Sequence, residues 1–417
     1  MDRKKLFFTL KKCSKVVRKV VPGSVRVYVK EKLLEKDVRN FSDKKESFAM
    51  KEFGKGVNLI GSIRAENGLG QSCRLVAGQL ERSGINFSVF NIHFGDRLRE
   101  EDHTYDQYLT EELPYGINLF HINPCELGDV FLRMPDMWKK HYNIAFWLWE
   151  LEEFPDEWVK YCSLFDEIWT PSAFAGQGIK KKSSVPVKTM PYTITVSANK
   201  SCTRKTFGLP DGKFLYLVMY DLNSTNGRKN PQGAIEAYKK AFPIEENDHG
   251  LVIKVNNAEE KELCKLRNFL SGYHNVYIIS EIMTKDKVDS LIGCVDVFVS
   301  LHRSEGLGLV LAEAMCLGTP VIATNWSSNT EFMDSGSSCM VKYRLVASKK
   351  REGLYKKGCI WAEPDIEDAA LYMRKLKNNL IYYEDIKEKG KKKFCEMFCE
   401  ERLANLWLEN IQVINKK

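Results

Sequence analysis

The stretch SLHRSEGLGLVLAEAMCLGTPVIAT, residues 300–324, decides how this chain is organised. Val295–Ser300 is a short apolar run that reads as a buried strand, and Thr319–Ala323 reads as another. Between them a loop brings Glu305, then Gly306-Leu307-Gly308 opens a helix over 309–317 that stops at Gly318, with Pro320 beyond it. Strand, loop, helix, strand is the unit of a parallel α/β sheet. Near-continuous apolar strands are what such a sheet needs when helices cover both faces.

The same unit recurs on both sides. Upstream, strands are predicted at 214–220, 251–255 and 276–279, with helices at 231–241, 259–271 and 284–293. Further back, Val57–Gly61 ends at a glycine. Asn67-Gly68-Leu69-Gly70 follows, then a helical pattern Cys73, Val76, Ala77, Leu80 that stops at Gly84, then a strand over 85–90. More strands are predicted at 118–122, 143–149 and 167–170. After Ile366 the pattern is helical, over 366–378, 381–394 and 400–414. The expected architecture is two doubly wound, Rossmann-like α/β domains. Residues 1–55 form an N-terminal extension, 56–205 the first domain, 206–395 the second, and 396–417 a last helix.

The length of 417 residues accommodates two domains, and 22 Phe, 17 Tyr and 8 Trp exclude wholesale disorder. No apolar run reaches the length of a membrane-spanning helix. The 12 cysteines are scattered singly without zinc or secreted-domain spacing, which reads as reduced thiols in a cytosolic core. The net charge is +8, but residues 1–20 hold eight cations against Asp2 alone, so the rest is nearly neutral and a nucleic-acid-binding globule is not indicated. In that segment Leu6, Leu10, Cys13, Val17 and Val20 share one helical face. A basic amphipathic helix of this kind suits an anionic membrane surface, or else packs on the protein or trails as a basic tail.

Glycines at a helix N-terminus leave backbone N–H groups open to an anion such as a phosphate. Glu305 stands before that helix and Glu313 inside it. Ionised carboxylates only accept hydrogen bonds, so the pair suits hydroxyl groups rather than phosphate itself. A phosphate flanked by two hydroxyl-bearing groups describes a nucleotide sugar. A second basic segment, Asp221 to Gly233, carries Arg228 and Lys229 at the start of a helix, where cations would neutralise a leaving diphosphate.

On these residues the sequence resembles glycosyltransferase family 4, retaining enzymes of the GT-B fold with an E-x7-E motif, as in bacterial surface-polysaccharide glycosyltransferases. Glu305 and Glu313 match that spacing, and the block around them resembles the family signature. The resemblance implies that Glu305 contacts donor-sugar hydroxyls, that Glu313 holds the ribose, and that the amides of Gly306, Leu307, Gly308 and Leu309 meet the sugar or diphosphate. Lys229, with Arg228 beside it, corresponds to the family's phosphate-binding segment, although its commoner upstream arginine is replaced by Asn223. Gly70 lies in a loop similar to the family's donor-facing glycine loop. Only two glycines are present there, with Cys73 in the third position of a dinucleotide fingerprint. His121 stands where related enzymes carry a histidine that touches the sugar. Trp149 and Glu150, in an aromatic and acidic cluster, are candidates for the acceptor side, with core packing as the plainer reading of the same cluster.

The expected catalytic set is Glu305, Lys229 and His121, with no metal and no cofactor beyond the nucleotide-sugar donor as substrate; no Asp-x-Asp occurs. The resemblance implies transfer of a hexose-type sugar with retention onto a glycan acceptor, lipid-linked in this reading, in polysaccharide or glycoconjugate biosynthesis. It implies a C-terminal helix crossing back to the first domain. The expected location is cytoplasmic and peripheral on the inner membrane face. A nucleotide-sugar epimerase or hydrolase on the same fold, or a silent member that binds a glycan or a partner enzyme, remains open at this stage.

Overall fold

The computed structural model describes residues 23–44, 46, 48–94, 99–222 and 224–416; the basic segment 1–20 lies outside them. The first domain is a sheet of β1 (Gly54–Gly61), β2 (Phe87–Asn91), β3 (Tyr115–His121), β4 (Tyr142–Phe146), β5 (Glu167–Thr170) and β6 (Val187–Thr189). The strands are parallel in the order β2-β1-β3-β4-β5-β6. Its helices are α1 (Gly23–Ser42), α2 (Gly68–Arg82), α3 (Pro124–Arg133), α4 (Asp156–Val159) and α5 (Ala173–Lys180).

The second domain runs β7 (Phe214–Asp221), α6 (Asn226–Lys229), α7 (Pro231–Ala241), β8 (His249–Asn256), α8 (Glu260–Phe269), β9 (Val276–Ile279), α9 (Lys285–Cys294), β10 (Val297–Ser300), α10 (Leu309–Leu317), β11 (Val321–Thr324) and β12 (Cys339–Val341). These strands too are parallel, in the order β12-β11-β10-β7-β8-β9. A separate antiparallel hairpin, β13 (Tyr343–Ala347) and β14 (Ile360–Pro364), follows. Then come α11 (Ile366–Asn378), α12 (Leu380–Met397) and α13 (Glu400–Ile414).

Each sheet has one point where the strand order reverses, and there the crevice at the carboxyl ends of the strands opens. In the first sheet it lies between β1 and β3, where Gly61 pairs with His121. In the second it lies between β7 and β10, so the loop after Asp221 and the loop after Ser300 meet there.

A neutral polar ladder crosses the middle of β1 and β3 and the start of β4. Asn58 Nδ2 donates to Asn118 Oδ1 at 2.8 Å, and Asn118 Nδ2 to Asn143 Oδ1 at 3.0 Å, all three side chains being buried. Further bonds reach the carbonyls of Tyr115, Met137 and Trp138, so these buried amides are satisfied.

The last helix packs on the first domain. Leu403, Trp407, Ile411 and Ile414 recur on one face and are buried. The Trp407 ring lies 5.3 Å from that of Trp169, and its Nε1–H donates to the Pro191 carbonyl at 2.7 Å. Truncating a buried tryptophan of this kind costs about 3–5 kcal/mol.

The stretch expected as an N-terminal extension contains a packed helix. Leu34 and Val38 of α1 are buried, Phe41 meets Phe131 edge-on at 5.4 Å, and Leu34 Cδ2 would lie 2.6 Å from a Cβ at Gly128. The dense charge of α1 hid this apolar stripe. The cysteines also differ from expectation: all eleven described are free thiols, but only Cys73, Cys162 and Cys339 are buried. Among the described residues no helix is long and apolar enough to cross a membrane.

Candidate functional site

The second sheet's crevice gathers the charges. Helix α6 is a single turn that ends at Asn230, in the left-handed region (φ 49°). Asn230 then caps α7 through its side chain and donates Nδ2 to the Leu301 carbonyl at 2.9 Å, tying this loop to the one after β10. Arg228 and Lys229 are thereby held against Glu305. Lys229 Nζ lies 2.6 Å from Glu305 Oε1, and Arg228 Nη1 lies 3.0 Å from Oε2. Arg228 Nη1 also donates to the Ser304 carbonyl at 2.8 Å.

Burial pushes the Glu305 carboxyl up, but Arg228 and Lys229 outweigh it and bring it down to about 2, so it is ionised. Arg228 is itself buried. Burial favours its neutral form, but Glu305, Tyr355 and Glu150 raise it above its ordinary value and it stays charged. The loop is held from behind as well. The Glu305 amide donates to Ser327 Oγ at 2.9 Å, and Ser328 Oγ donates to the Glu305 carbonyl at 2.7 Å. His302 Nε2 faces two oxygens, Asn329 Oδ1 at 3.0 Å and the Trp326 carbonyl at 3.3 Å, so that nitrogen carries the proton. Burial keeps the His302 ring neutral.

Gly308 takes φ 82° at the start of α10, a conformation that requires glycine, and no side chain caps the helix. Its first N–H groups, from Gly308 through Leu309, therefore stay available to an anion. Inside α10, Glu313 lies 3.0 Å from Lys285 Nζ on α9, and the same ammonium pairs with Asp289. Burial pushes Glu313 up to about 7, Lys285 opposing and Asp289 reinforcing the rise.

The first domain meets this site directly. Ser172 Oγ donates to the Gly306 carbonyl at 2.6 Å, and a Cβ at Gly306 would come 3.1 Å from the Trp149 carbonyl. Glu150 Oε1 lies 3.8 Å from Arg228 Nη2, Tyr355 Oη donates to Glu150 Oε2 at 3.0 Å, and Ser304 Oγ donates to the Glu150 carbonyl. Glu331 accepts from the amides of Ala173 (3.0 Å) and Phe174 (2.7 Å) at the start of α5. The two domains are thus joined through the loops that carry the charges.

Of the residues singled out from sequence, Lys229, Arg228, Glu305, Gly306 and Glu150 converge. Glu313 lies one helix turn further on, with Leu307 buried and Leu309 half-buried between them. Trp149 is 4% exposed, stands edge-on to Trp158 at 5.0 Å and donates Nε1–H to the Glu153 carbonyl at 2.9 Å. It offers no free face to a sugar, and the plainer packing reading fits it. Gly70 is needed where it stands because a Cβ would fall 1.9 Å from the Ala65 carbonyl, and its amide is taken by Asn67 Oδ1 at 2.8 Å. His121 is buried apart from the charges. Its Nε2 lies 2.9 Å from Ser72 Oγ, which lies 2.9 Å from Tyr192 Oη, while Nδ1 has no partner. Burial pushes the His121 ring down to about 4, so it is neutral. Glu313 contributes to the rise in the Tyr192 pKa, so this chain ends near the second carboxylate.

Sequence reasoning missed Lys285, Asp289, Ser172, Ser327 and Tyr355. Lys285 and Asp289 sit i, i+4 on one helix, a pattern visible in sequence; nothing pointed to Tyr355. It also passed over Lys254, a lysine buried inside β8 that donates to Asn256 Oδ1 and whose pKa burial lowers.

Residues 202–393 match the family described as glycosyl transferases group 1. The O-antigen biosynthesis glycosyltransferase WclY of Escherichia coli is 31% identical over 137 residues, which is 33% of this chain and 36% of that protein. The putative glycosyltransferase YtcC of Bacillus subtilis is 30% identical over 160 residues, 37% of each chain. The matched stretch therefore spans little more than a third of these relatives. Among solved structures, Anabaena Alr3699/HepE in complex with UDP and glucose covers 86% of this chain and 100% of its own, with a TM-score of 0.64 at 11% identity. The fold is the two-domain GT-B fold.

Proposed function

We propose that this chain is a glycosyltransferase that moves a hexose-type sugar from a nucleotide-sugar donor to a glycan acceptor, with retention of configuration, in surface-polysaccharide assembly. The observation that carries the reading is the ionised, buried Glu305 held between Lys229 and Arg228 at the switch point of the second sheet, inside the stretch that matches the glycosyl transferase family. The O-antigen assignment of one relative supports the polysaccharide setting, and the UDP and glucose of a structural neighbour support the donor class.

In this reading the diphosphate lies over the open N–H groups of Gly306 to Leu309 at the start of α10. Lys229, the more exposed of the two cations, turns from Glu305 to the diphosphate and stabilises the charge that develops as it leaves. Glu305 accepts hydrogen bonds from the donor sugar. Arg228 stays with Glu305 and holds its orientation. Glu313, in its ionised form, accepts from the ribose hydroxyls. Gly70 lets the α2 loop approach the donor from the first domain, and His121 Nδ1, buried and without a partner, meets a sugar hydroxyl only if the first domain shifts to uncover it.

The bond from the anomeric carbon to the diphosphate breaks as the bond to the acceptor oxygen forms on the same face, and the acceptor proton passes to the departing diphosphate. Lys229, released from Glu305, supplies the positive charge this needs, so we expect turnover without a divalent metal. The acceptor enters from the first domain, past Glu150, and a lipid-linked acceptor fits a chain whose residues 1–20 rest on a membrane.

The test is a screen of UDP, GDP, dTDP and ADP sugars with chelator present, read by ligand-induced thermal shift and then by NMR of the product. We expect one nucleotide to stabilise the protein and the product to keep the donor's anomeric coupling constant. An inverted product would overturn retention. Stabilisation by none of the donors, with acceptor and vesicles present, would overturn the donor site.

A further inference from the structure

The β13–β14 hairpin faces the body on one side and solvent on the other, and the two sides differ in kind. On the inner side Trp361 is buried beneath Arg303, whose guanidinium forks onto Glu363 with both bonds at 2.8 Å. At the tip, Glu352 lies against Gly227, Tyr355 bonds Glu150, and Lys356 Nζ reaches Glu157 of the first domain at 2.8 Å. Both acids of the hairpin, Glu352 and Glu363, are thus turned inward or paired. These anchors fix the hairpin as a platform beside the cleft.

The other side is open over most of its length, with Ala362 and Pro364 buried beneath larger neighbours. Tyr343, Leu345 and Ile360 share one face by register, at 37%, 48% and 47% exposure, and Leu354 at the tip is 48% exposed. These are four of the eleven large apolar side chains exposed among the described residues, gathered in one short hairpin. The face continues into Trp326, whose ring lies 5.2 Å from Tyr343, and from there to Phe174 at 5.8 Å. Around it, Lys342 to Lys357 holds seven cations against one acid, Glu352. Arg344, Lys349 and Lys357 are exposed, with no acidic partner among the described residues. Together with residues 1–20 this stretch holds more positive charge than the whole chain's +8, so the remainder is net acidic.

Exposed apolar side chains beside exposed cations, of which Lys342, Lys350 and Lys356 reach an acid and, among the described residues, the others do not, match the chemistry of an anionic bilayer, where the hydrocarbon boundary takes the former and the headgroups the latter. We propose that the β13–β14 hairpin is a docking surface for an anionic lipid membrane, separate in sequence from residues 1–20, and that it sets the cleft beside the bilayer. The inference stands on charge and exposure and does not depend on the transfer reaction.

The test uses the full chain, with residues 1–20 intact, and extruded vesicles of phosphatidylcholine alone or with phosphatidylglycerol. One variant combines Leu345→Ser with Leu354→Ser; the other combines Lys349→Glu, Lys350→Glu and Arg351→Glu. All five positions are exposed, so both variants should melt as the parent does. The parent should partition onto phosphatidylglycerol vesicles and not onto the neutral ones, and raised salt should weaken it. Each variant should lose at least tenfold in partitioning, and amides over 343–360 of the parent should gain hydrogen-exchange protection on the vesicles. Nucleotide-sugar binding, measured in the same variants, should stay unchanged, which separates failure of this idea from failure of the donor site. The proposal is overturned if the variants partition like the parent, if the parent does not partition, or if light scattering shows the parent to be a dimer that the same substitutions dissociate.

Discussion

Glu305 and Glu313 stand eight positions apart, both are buried, and both touch a cation, yet one is brought down to about 2 and the other pushed up to about 7. Burial acts the same way on both. The neighbours differ. Glu305 has two cations, one of which also reaches Glu150 at the longer distance of 3.8 Å, while Glu313 shares one ammonium with Asp289. A carboxylate outnumbered by cations is a fixed charge. One that shares a single cation with a second acid is close to gaining a proton at neutral pH. The two glutamates of one motif are therefore not interchangeable: the first is an electrostatic anchor and the second a group whose acceptor power depends on pH.

The largest effect should come from removing the cation of the first region. Arg228→Met leaves the buried Glu305 with Lys229 alone and the half-buried Glu150 with Tyr355 alone, which should cost about 3 kcal/mol in urea unfolding. It should lower donor turnover about a hundredfold or more. If Arg228→Met unfolds like the parent, Glu305 is not held as described.

Next is the pH dependence of stability. Glu305 is lowered in the folded state, so its contribution is present above its ordinary range and is lost as pH falls through 4.5 toward 2. Glu313 is raised, so its contribution is present below 4.5 and is lost as pH rises through 7. Each limb is worth about 3 kcal/mol. Glu305→Gln should flatten the acid limb and Glu313→Gln the neutral one, in chemical denaturation at a series of pH values. Swapped limbs would reverse the comparison.

A polar network with no charge makes the contrast sharper. Asn118→Ala breaks the ladder inside the first sheet and should cost about 2 kcal/mol, with no change in pH profile or donor affinity. Coupling to donor affinity would mean that the first sheet transmits strain to the site.

The smallest effect should follow Lys285→Met. Glu313 can answer the loss by taking up a proton, so the cost at neutral pH should be about 1 kcal/mol, well under that of Arg228→Met. An equal cost would erase the distinction between the two regions.

Much of this was legible in the sequence. Helices α7, α10, α11 and α13 begin and end where glycines, prolines and apolar spacing put them, because each carries its own stop signal. The Arg228–Lys229 loop and Glu305 were each readable because both follow an apolar strand and precede a helix; that they form a pair came only from the strand order, which sets β7 beside β10. The hairpin was not, since its apolar residues are interleaved with lysines and face outward, which breaks the link between apolar pattern and burial. Three-residue strands such as β6 and β12 carry too little pattern to detect. Packing decided three others: Trp149 went to the interface, α1 onto α3, and Tyr355 over Arg228, through contacts far apart in sequence.

The central claim is that a nucleotide sugar lies across these two carboxylates, and titration calorimetry of the stabilising nucleotide sugar at pH 8 and pH 6 tests it most directly. Binding should weaken about tenfold at pH 6 as Glu313 takes up its proton, Glu313→Gln should bind weakly at both values, and Asp289→Asn should restore tight binding at pH 6. Affinity that is the same at both pH values and unaffected by Glu313→Gln would contradict the account.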